Sequence, residues 1–274
     1  MRRTVIQPTF DGWRAAARAL LAAGVEPREV LWEEAEGEQP GLPGLVDEAP
    51  AEAAPSTARV PRAFMALAEA GACHSDAERW ALLYRVLWRV THGEPRLMEV
   101  AMDPDVHRML AMEKSVRRDV HKTKAFVRFR AVDLEVGTHY VAWFEPEHRT
   151  RERSAPFFAE RFASMSWSIL TPRRCAHWDG DGLWFSAGVP RSAAPGEDAL
   201  EGLWRTYYAS IFNPARMKPK AMRAEMPLKY WRNLPEAELI QPLMREAPAR
   251  VRRMIEEQSA ERNRPSRDRP RRSP

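Results

Sequence analysis

Ala125-Phe126-Val127-Arg128-Phe129-Arg130-Ala131-Val132 is the stretch in which the chain changes its period. Before it, apolar residues return every three or four positions, as on one face of a helix. Across it, Val127, Phe129 and Ala131 alternate with Phe126, Arg128 and Arg130, which is the two-residue period of a strand. Residues 139–144 read as a second strand, stopped by Glu145-Pro146, and 167–171, 175–178 and 183–186 as three more. Asp179-Gly180-Asp181-Gly182 joins the last two, because Asp-Gly tolerates the positive φ of a tight hairpin turn. Strands gathered in the middle of the chain with helices on both sides predict an α+β fold, a small and mostly antiparallel central sheet flanked by helices.

Upstream of the switch, Asp103-Pro104 is an N-cap followed by proline at the first helical position. It opens a helix carrying Val106, Met109, Leu110, Val116 and Val120 inward and Arg108, Lys114, Arg117 and Arg118 outward. Asp76 is expected to cap another, with Trp80, Leu83, Tyr84, Leu87 and Trp88 on one face. At the start, Thr4-Val5-Ile6 is extended, Asp11 is a candidate cap, and Trp13, Ala16, Ala17, Leu20 and Leu21 recur at helical spacing until Gly24. Downstream, 156–165 returns to helix, and Glu197 and Asp198 open one that places Leu200, Leu203, Trp204, Tyr207, Tyr208 and Ile211 in register. The division this suggests is an N-terminal β-α unit over 1–32, an acidic Pro/Gly-rich linker or loop over 33–61, a main α+β domain over 62–248, and a basic, largely disordered Arg/Pro-rich tail over 249–274.

With 274 residues and 44% hydrophobic content, the chain has ample material for a core. No apolar run approaches the roughly 18–20 residues that cross a bilayer, and the start lacks a signal-peptide apolar segment, so a cytoplasmic location without membrane attachment is expected. Two cysteines, Cys73 and Cys175, argue against a disulfide framework or a cysteine-rich metal site. The net charge of +5 is unevenly spread. Residues 26–56 hold nine acids and one base, residues 113–130 seven bases and two acids, and residues 214–232 six bases and one acid. The last 26 residues hold nine arginines and four acids. Two basic stretches within the body predict a positive surface able to attract phosphates, unless acids elsewhere pair with them.

No Gly-rich phosphate loop, nucleophile elbow or pair of histidines at metal-binding spacing occurs, so no cofactor and no metal are expected. Two constellations remain. If the first two strands pair as an antiparallel hairpin, His121, Lys122 and Lys124 approach Glu145 and His148, with Arg128 and Arg130 sharing a strand face. His121, Glu145 and His148 are then acid–base candidates, although the same groups suit a buried ion-pair network or a phosphate site. The second runs from Tyr208 through Asn213, Arg216, Lys218 and Lys220 to Arg223. There Asn213-Pro214 restarts a helix, and bases interleaved with aromatics suit stacking and phosphate contact, unless the aromatics are core.

Several ordered motifs then carry a resemblance. Asp119-Val120-His121-Lys122, Trp143-Phe144-Glu145-Pro146-Glu147-His148, Trp178-Asp179-Gly180, Ile211-Phe212-Asn213-Pro214-Ala215-Arg216 and Asn233-Leu234-Pro235-Glu236-Ala237 are among them. Over about residues 4–248 the chain resembles an uncharacterised family of DNA-metabolism and repair proteins. Members are encoded beside a DNA-modifying radical-SAM protein or fused ahead of a uracil-DNA-glycosylase-like domain. The resemblance implies DNA, and a radical-SAM or uracil-DNA-glycosylase-like protein in trans, as partners. The iron–sulfur cysteines of the fused glycosylase have no counterpart here, since Cys73 and Cys175 both lie upstream, so glycosylase activity is not expected of this chain. The expected function is that of a DNA-metabolism accessory binding DNA through Lys122, Lys124, Arg128, Arg130, Tyr208, Asn213, Arg216, Lys218, Lys220 and Arg223. The alternatives are an enzyme acting on a nucleotide or DNA base through the His/Glu cluster, and a protein–protein scaffold without DNA contact.

Overall fold

The computed structural model describes residues 1–35, 59–134, 137–194, 225–234 and 237–262. In chain order the elements are β1 (Arg2–Ile6), α1 (Phe10–Ala22), β2 (Val30–Glu34), α2 (Arg62–Ala72), α3 (Arg79–Thr91), α4 (Pro104–Phe126), β3 (Arg130–Leu134), β4 (Gly137–Trp143), α5 (Arg151–Arg161), β5 (Trp167–Leu170), β6 (Arg174–Trp178), β7 (Leu183–Ala187) and α6 (Ala237–Arg262). A five-stranded sheet runs in the order β3-β4-β5-β6-β7, antiparallel throughout except that β5 lies parallel to β4. A parallel neighbour needs a crossover, and α5 is that connection. The fold is therefore α+β, as the change of period predicts.

Two clusters of buried side chains stand along the chain. The first is built by β1, α1, β2, α2, α3 and the front of α4, around Trp13, Phe64, Trp80, Leu83 and Met109. Its strands β1 and β2 pair in parallel across α1, a pairing the sequence reading did not anticipate. The second joins the sheet to α5, the segment 226–234 and α6, around Phe144, Phe158, Trp167, Ile169 and Ile240. Helix α4 belongs to both, burying Val106, Met109 and Met112 in one and Phe126 in the other. At 23 residues it is about 35 Å long at 1.5 Å per residue.

Several local expectations are corrected. Residues 125 and 126 finish α4, and the strand begins only at Arg130. The helix persists because Thr123 Oγ1 donates to the Asp119 carbonyl and Phe126 seats in the second core, where burial outweighs the local alternation. Leu110, expected inward, is 39% exposed, and Arg108, expected outward, is half-buried against Asp76 and Glu78. Thr9, not Asp11, caps α1, its Oγ1 accepting the Gly12 N–H at 3.1 Å. Asp76 accepts the Glu78 N–H at 2.9 Å, one turn ahead of α3. The helix expected over 156–165 is shifted to Arg151–Arg161 and contains Pro156. Residues 249–262, assigned to an irregular tail, continue α6. Among the described residues no helix is long and apolar enough to cross a membrane.

Candidate anion-binding pocket

The seven residues after β4, 144–150, run through the seam where the two cores approach, and Asp119 of α4 holds them there. Its carboxylate is 3% exposed and accepts from the N–H groups of Glu147 (3.0 Å) and His148 (3.2 Å) and from the hydroxyls of Thr150 (2.8 Å) and Tyr230 (3.2 Å). Four donors satisfy a buried carboxylate as water would. Tyr230 in turn lies between the rings of Phe126 and Phe144, with centroids 5.5 and 5.3 Å away. Burial, then the charge of Asp119, pushes its hydroxyl well above the ordinary tyrosine value.

The same segment is tied to the first core. His148 is 2% exposed, and its Nδ1 accepts the Ser75 N–H at 3.3 Å. That bond assigns the proton to Nε2, which donates to Ser115 Oγ at 2.8 Å. Burial, then the neighbouring His74, holds its pKa below the usual value, so the ring is neutral. The Arg149 N–H donates to the Cys73 carbonyl at 2.8 Å, while its guanidinium meets Glu34 of β2 at 2.5 Å. Glu34 also takes Arg79 and, at 2.9 Å, the Trp80 indole N–H. Burial opposes the charge on Glu34, but the indole hydrogen bond and the two guanidiniums prevail and hold its pKa low.

Beside this segment lies a cavity of about 510 Å³. Its wall includes Pro8–Asp11 at the start of α1, Ala72 and Cys73 at the end of α2, and residues 145–146 and 148–152, with the turn 171–174 opposite. The N-termini of two helices, α1 and α5, thus open on one space. Thr9 caps the first, whereas the Thr150 hydroxyl is committed to Asp119 and leaves the first turn of α5 without a side-chain cap. Each helix carries an acid in its first turn, Asp11 in α1 and Glu152 in α5, and these carboxylates offset the positive ends of the two helix dipoles in the cavity wall.

Arg151, the first residue of α5, is the outstanding group in this wall. It is 3% exposed, and its Nε, Nη1 and Nη2 all lack a hydrogen-bond partner. Burial pushes its pKa down to about 10, which still leaves the guanidinium charged at neutral pH. Of its neighbours in the wall, Arg149 is taken by Glu34, and Arg174 meets Glu152 at 2.9 Å. The exposed Arg173 reaches the Glu147 carbonyl only at 3.5 Å. Among the described residues the cavity wall carries Arg149, Arg151, Arg173 and Arg174 beside the carboxylates of Asp11, Glu145 and Glu152, and the Arg151 guanidinium lies buried near Cys175, Glu152 and Asp119 without a hydrogen-bond partner.

The residues singled out from sequence are distributed differently. β3 and β4 do form the expected antiparallel hairpin, with Arg130 opposite Val141. Glu145 and His148 line the cavity, but His121 does not, because it lies on the exposed face of α4. The three acid–base candidates are not brought together. Lys122 is 4% exposed, its Nζ donating to the Glu225 carbonyl and meeting that residue's carboxylate at 3.0 Å, so it is withdrawn from any polyanion surface. Lys124 is exposed, its Nζ 4.7 Å above the Phe157 ring. Arg128 donates to the carbonyls of Ala125 and Val127, capping the end of α4, and Arg130 opens β3. Tyr208, Asn213, Arg216, Lys218, Lys220 and Arg223 lie outside the described residues. Among the described residues no three His, Cys, Asp or Glu side chains are grouped as metal ligands. Arg151 carries no sequence signal, since Thr150-Arg151-Glu152-Arg153 reads as an ordinary charged turn.

A family model described as a domain of unknown function, DUF4130, matches residues 77–236. No curated protein and no solved structure matches the chain.

Proposed function

The chain belongs to the DUF4130 family, from which no reaction is inherited, and we propose that it is a DNA-metabolism accessory that grips a nucleic-acid backbone along the solvent face of α4. The observation that carries this reading is the placement of Lys114, Arg117, Arg118, His121 and Lys124. All five are exposed, and spacings of three and four residues put them on one side of the helix. Arg117 meets Glu113 at 3.4 Å on its own helix, an exposed pair of little energetic consequence. A straight cationic edge on a helix anchored in both cores suits phosphates repeated along a strand.

The partner is a radical-SAM DNA-modifying protein or a uracil-DNA-glycosylase-like protein acting in trans, as the resemblance implies. The test is a binding titration of the full chain on duplex and single-stranded DNA at increasing salt, beside the variant Lys114→Gln/Arg117→Gln/Lys124→Gln. Affinity should fall steeply with salt and fall again in the variant. Absent affinity at low salt, with a DNA-modification protein still co-purifying, leaves the scaffold in its place.

A further inference from the structure

Side chains that alternate with Trp167, Ile169 and Ala176 of the second core form a continuous polar row on the opposite side of the sheet. The row crosses four strands. His139 of β4 stands between two hydroxyls, its Nδ1 2.7 Å from Ser166 Oγ and its Nε2 2.8 Å from Ser168 Oγ. Ser168 Oγ is also 2.8 Å from Nδ1 of His177 on β6, whose Nε2 lies 2.8 Å from Ser186 Oγ on β7. The strand register sets these spacings, since Ser168 is paired with His177 and His177 with Trp184, on which its ring stacks at 5.5 Å.

Counting protons along the row shows what it can hold. A neutral imidazole offers one N–H and one acceptor, and a hydroxyl donates once. Ser168 is 9% exposed, so it donates to one histidine and accepts from the other, which gives the row a direction. In either direction a first added proton is accommodated. It falls on the histidine that donates to Ser168, and only the outer hydroxyl, Ser166 or Ser186, has to turn. A second proton would fall on the nitrogen to which Ser168 donates. Both imidazoliums would then point an N–H at one oxygen, the Ser168 hydrogen would be stranded, and the two charges would repel. Arg130 and Cys175 share this side of the sheet, Val132 stands opposite His139, and Asp179 and Asp181 lie in the turn beyond His177. Burial holds both imidazoles below the usual value, and among the described residues His139 is the charged group that adds to the effect on His177.

We infer that the row is a pH-sensitive clasp on the sheet: its two histidines hold one added proton between them, and a second drives one ring out of the row and loosens the strands it spans. The clasp is closed at neutral pH. Because both folded values lie below the 6.5 of a free imidazole, the stability it lends is present above that pH and declines as pH falls towards them. It shares no residue with the α4 face, so it stands whether or not that face meets DNA.

The test follows the imidazole nitrogens of the full chain by two-dimensional 1H–15N NMR between about pH 8 and about pH 5. Residue-specific signals keep His148 out of the measurement. His139 and His177 should titrate in two steps more than about one pH unit apart. Amide exchange in β5, β6 and β7 should accelerate through the lower step and not through the upper one. In His139→Gln, His177 should titrate in a single step above the lower wild-type step, and His177→Gln should do the same for His139. If one variant does not fold, the other reads the same coupling. A purely structural row would leave exchange unchanged through both steps. Rings that keep the same midpoint with and without each other, or exchange that ignores the lower step, overturn the clasp.

Discussion

Asp119 shows how one side chain fixes a functional segment. Its four donors come from residues 147, 148, 150 and 230, so removing the carboxylate strands two backbone N–H groups and two hydroxyls in the interior. Asp119→Ala should therefore cost about 3 kcal/mol or more, whereas Tyr230→Phe, which deletes one hydrogen bond and leaves the carboxylate three donors, should cost about 1 kcal/mol. Urea unfolding of both variants checks the ratio, and equal losses would show that Asp119 does not organise the segment. His148 gives the pH counterpart. Its folded pKa lies below the 6.5 of an unperturbed imidazole because of burial and then His74, with Asp119 and Glu147 opposing and Lys229 adding to the shift. Above about pH 6.5 both folded and unfolded rings are neutral and nothing changes; below it the unfolded chain takes up a proton that the fold refuses. Tm should fall as pH is lowered from about 7 towards the folded pKa, and His148→Gln, which keeps an acceptor for Ser75 and a donor for Ser115, should flatten that slope.

At the scale of elements, caps and turns were legible where the signal is local. Asp103 accepts the N–H groups of Asp105 (3.0 Å) and Val106 (3.2 Å) ahead of Pro104, and Gly180 takes φ 103° in the hairpin between β6 and β7. The boundary between α4 and β3 was not legible, since both periods fit residues 125–129 and only the seating of Phe126 beside Tyr230 decides for helix. The turn 171–174, which forms one wall of the pocket, is another tertiary product. Gly188 donates to the Arg173 carbonyl at 2.9 Å, and a methyl group placed on it would lie 2.2 Å from the Pro172 carbonyl oxygen. Because the obstacle is backbone, Gly188→Ala should cost about 2 kcal/mol or more. The urea unfolding midpoint reads the loss, and a variant as stable as the wild type would show the wall to be pliable.

For the whole molecule, α4 is the member common to both cores and the carrier of the exposed cationic face. Four of its exposed side chains, Lys114, Arg117, Arg118 and Lys124, are lysines or arginines. If each neutralises one phosphate, log K should fall with log salt at a slope of about −4 for duplex DNA, since roughly 0.9 counterions are released per contact. The triple substitution should reduce that slope by about 3, and an unchanged slope would place the contacts elsewhere. Arg151 is set apart from this surface by its burial, so Arg151→Met should leave the salt slope where it is.

The order of helix and strand, the hairpin turn, the cap at Asp103 and the basic character of residues 113–130 were written in the chain, because each depends on neighbours a few positions away. Which charges remain available was not, because Lys122 and Lys124 stand two residues apart on one helix and only packing separates them: one is buried against Glu225, the other faces solvent. The pocket belongs wholly to the tertiary structure. Pro8–Asp11, Cys73, Arg151 and Arg173 are brought to one cavity by the meeting of two cores, and a guanidinium reveals its lack of a partner only when burial has removed the water that would have served.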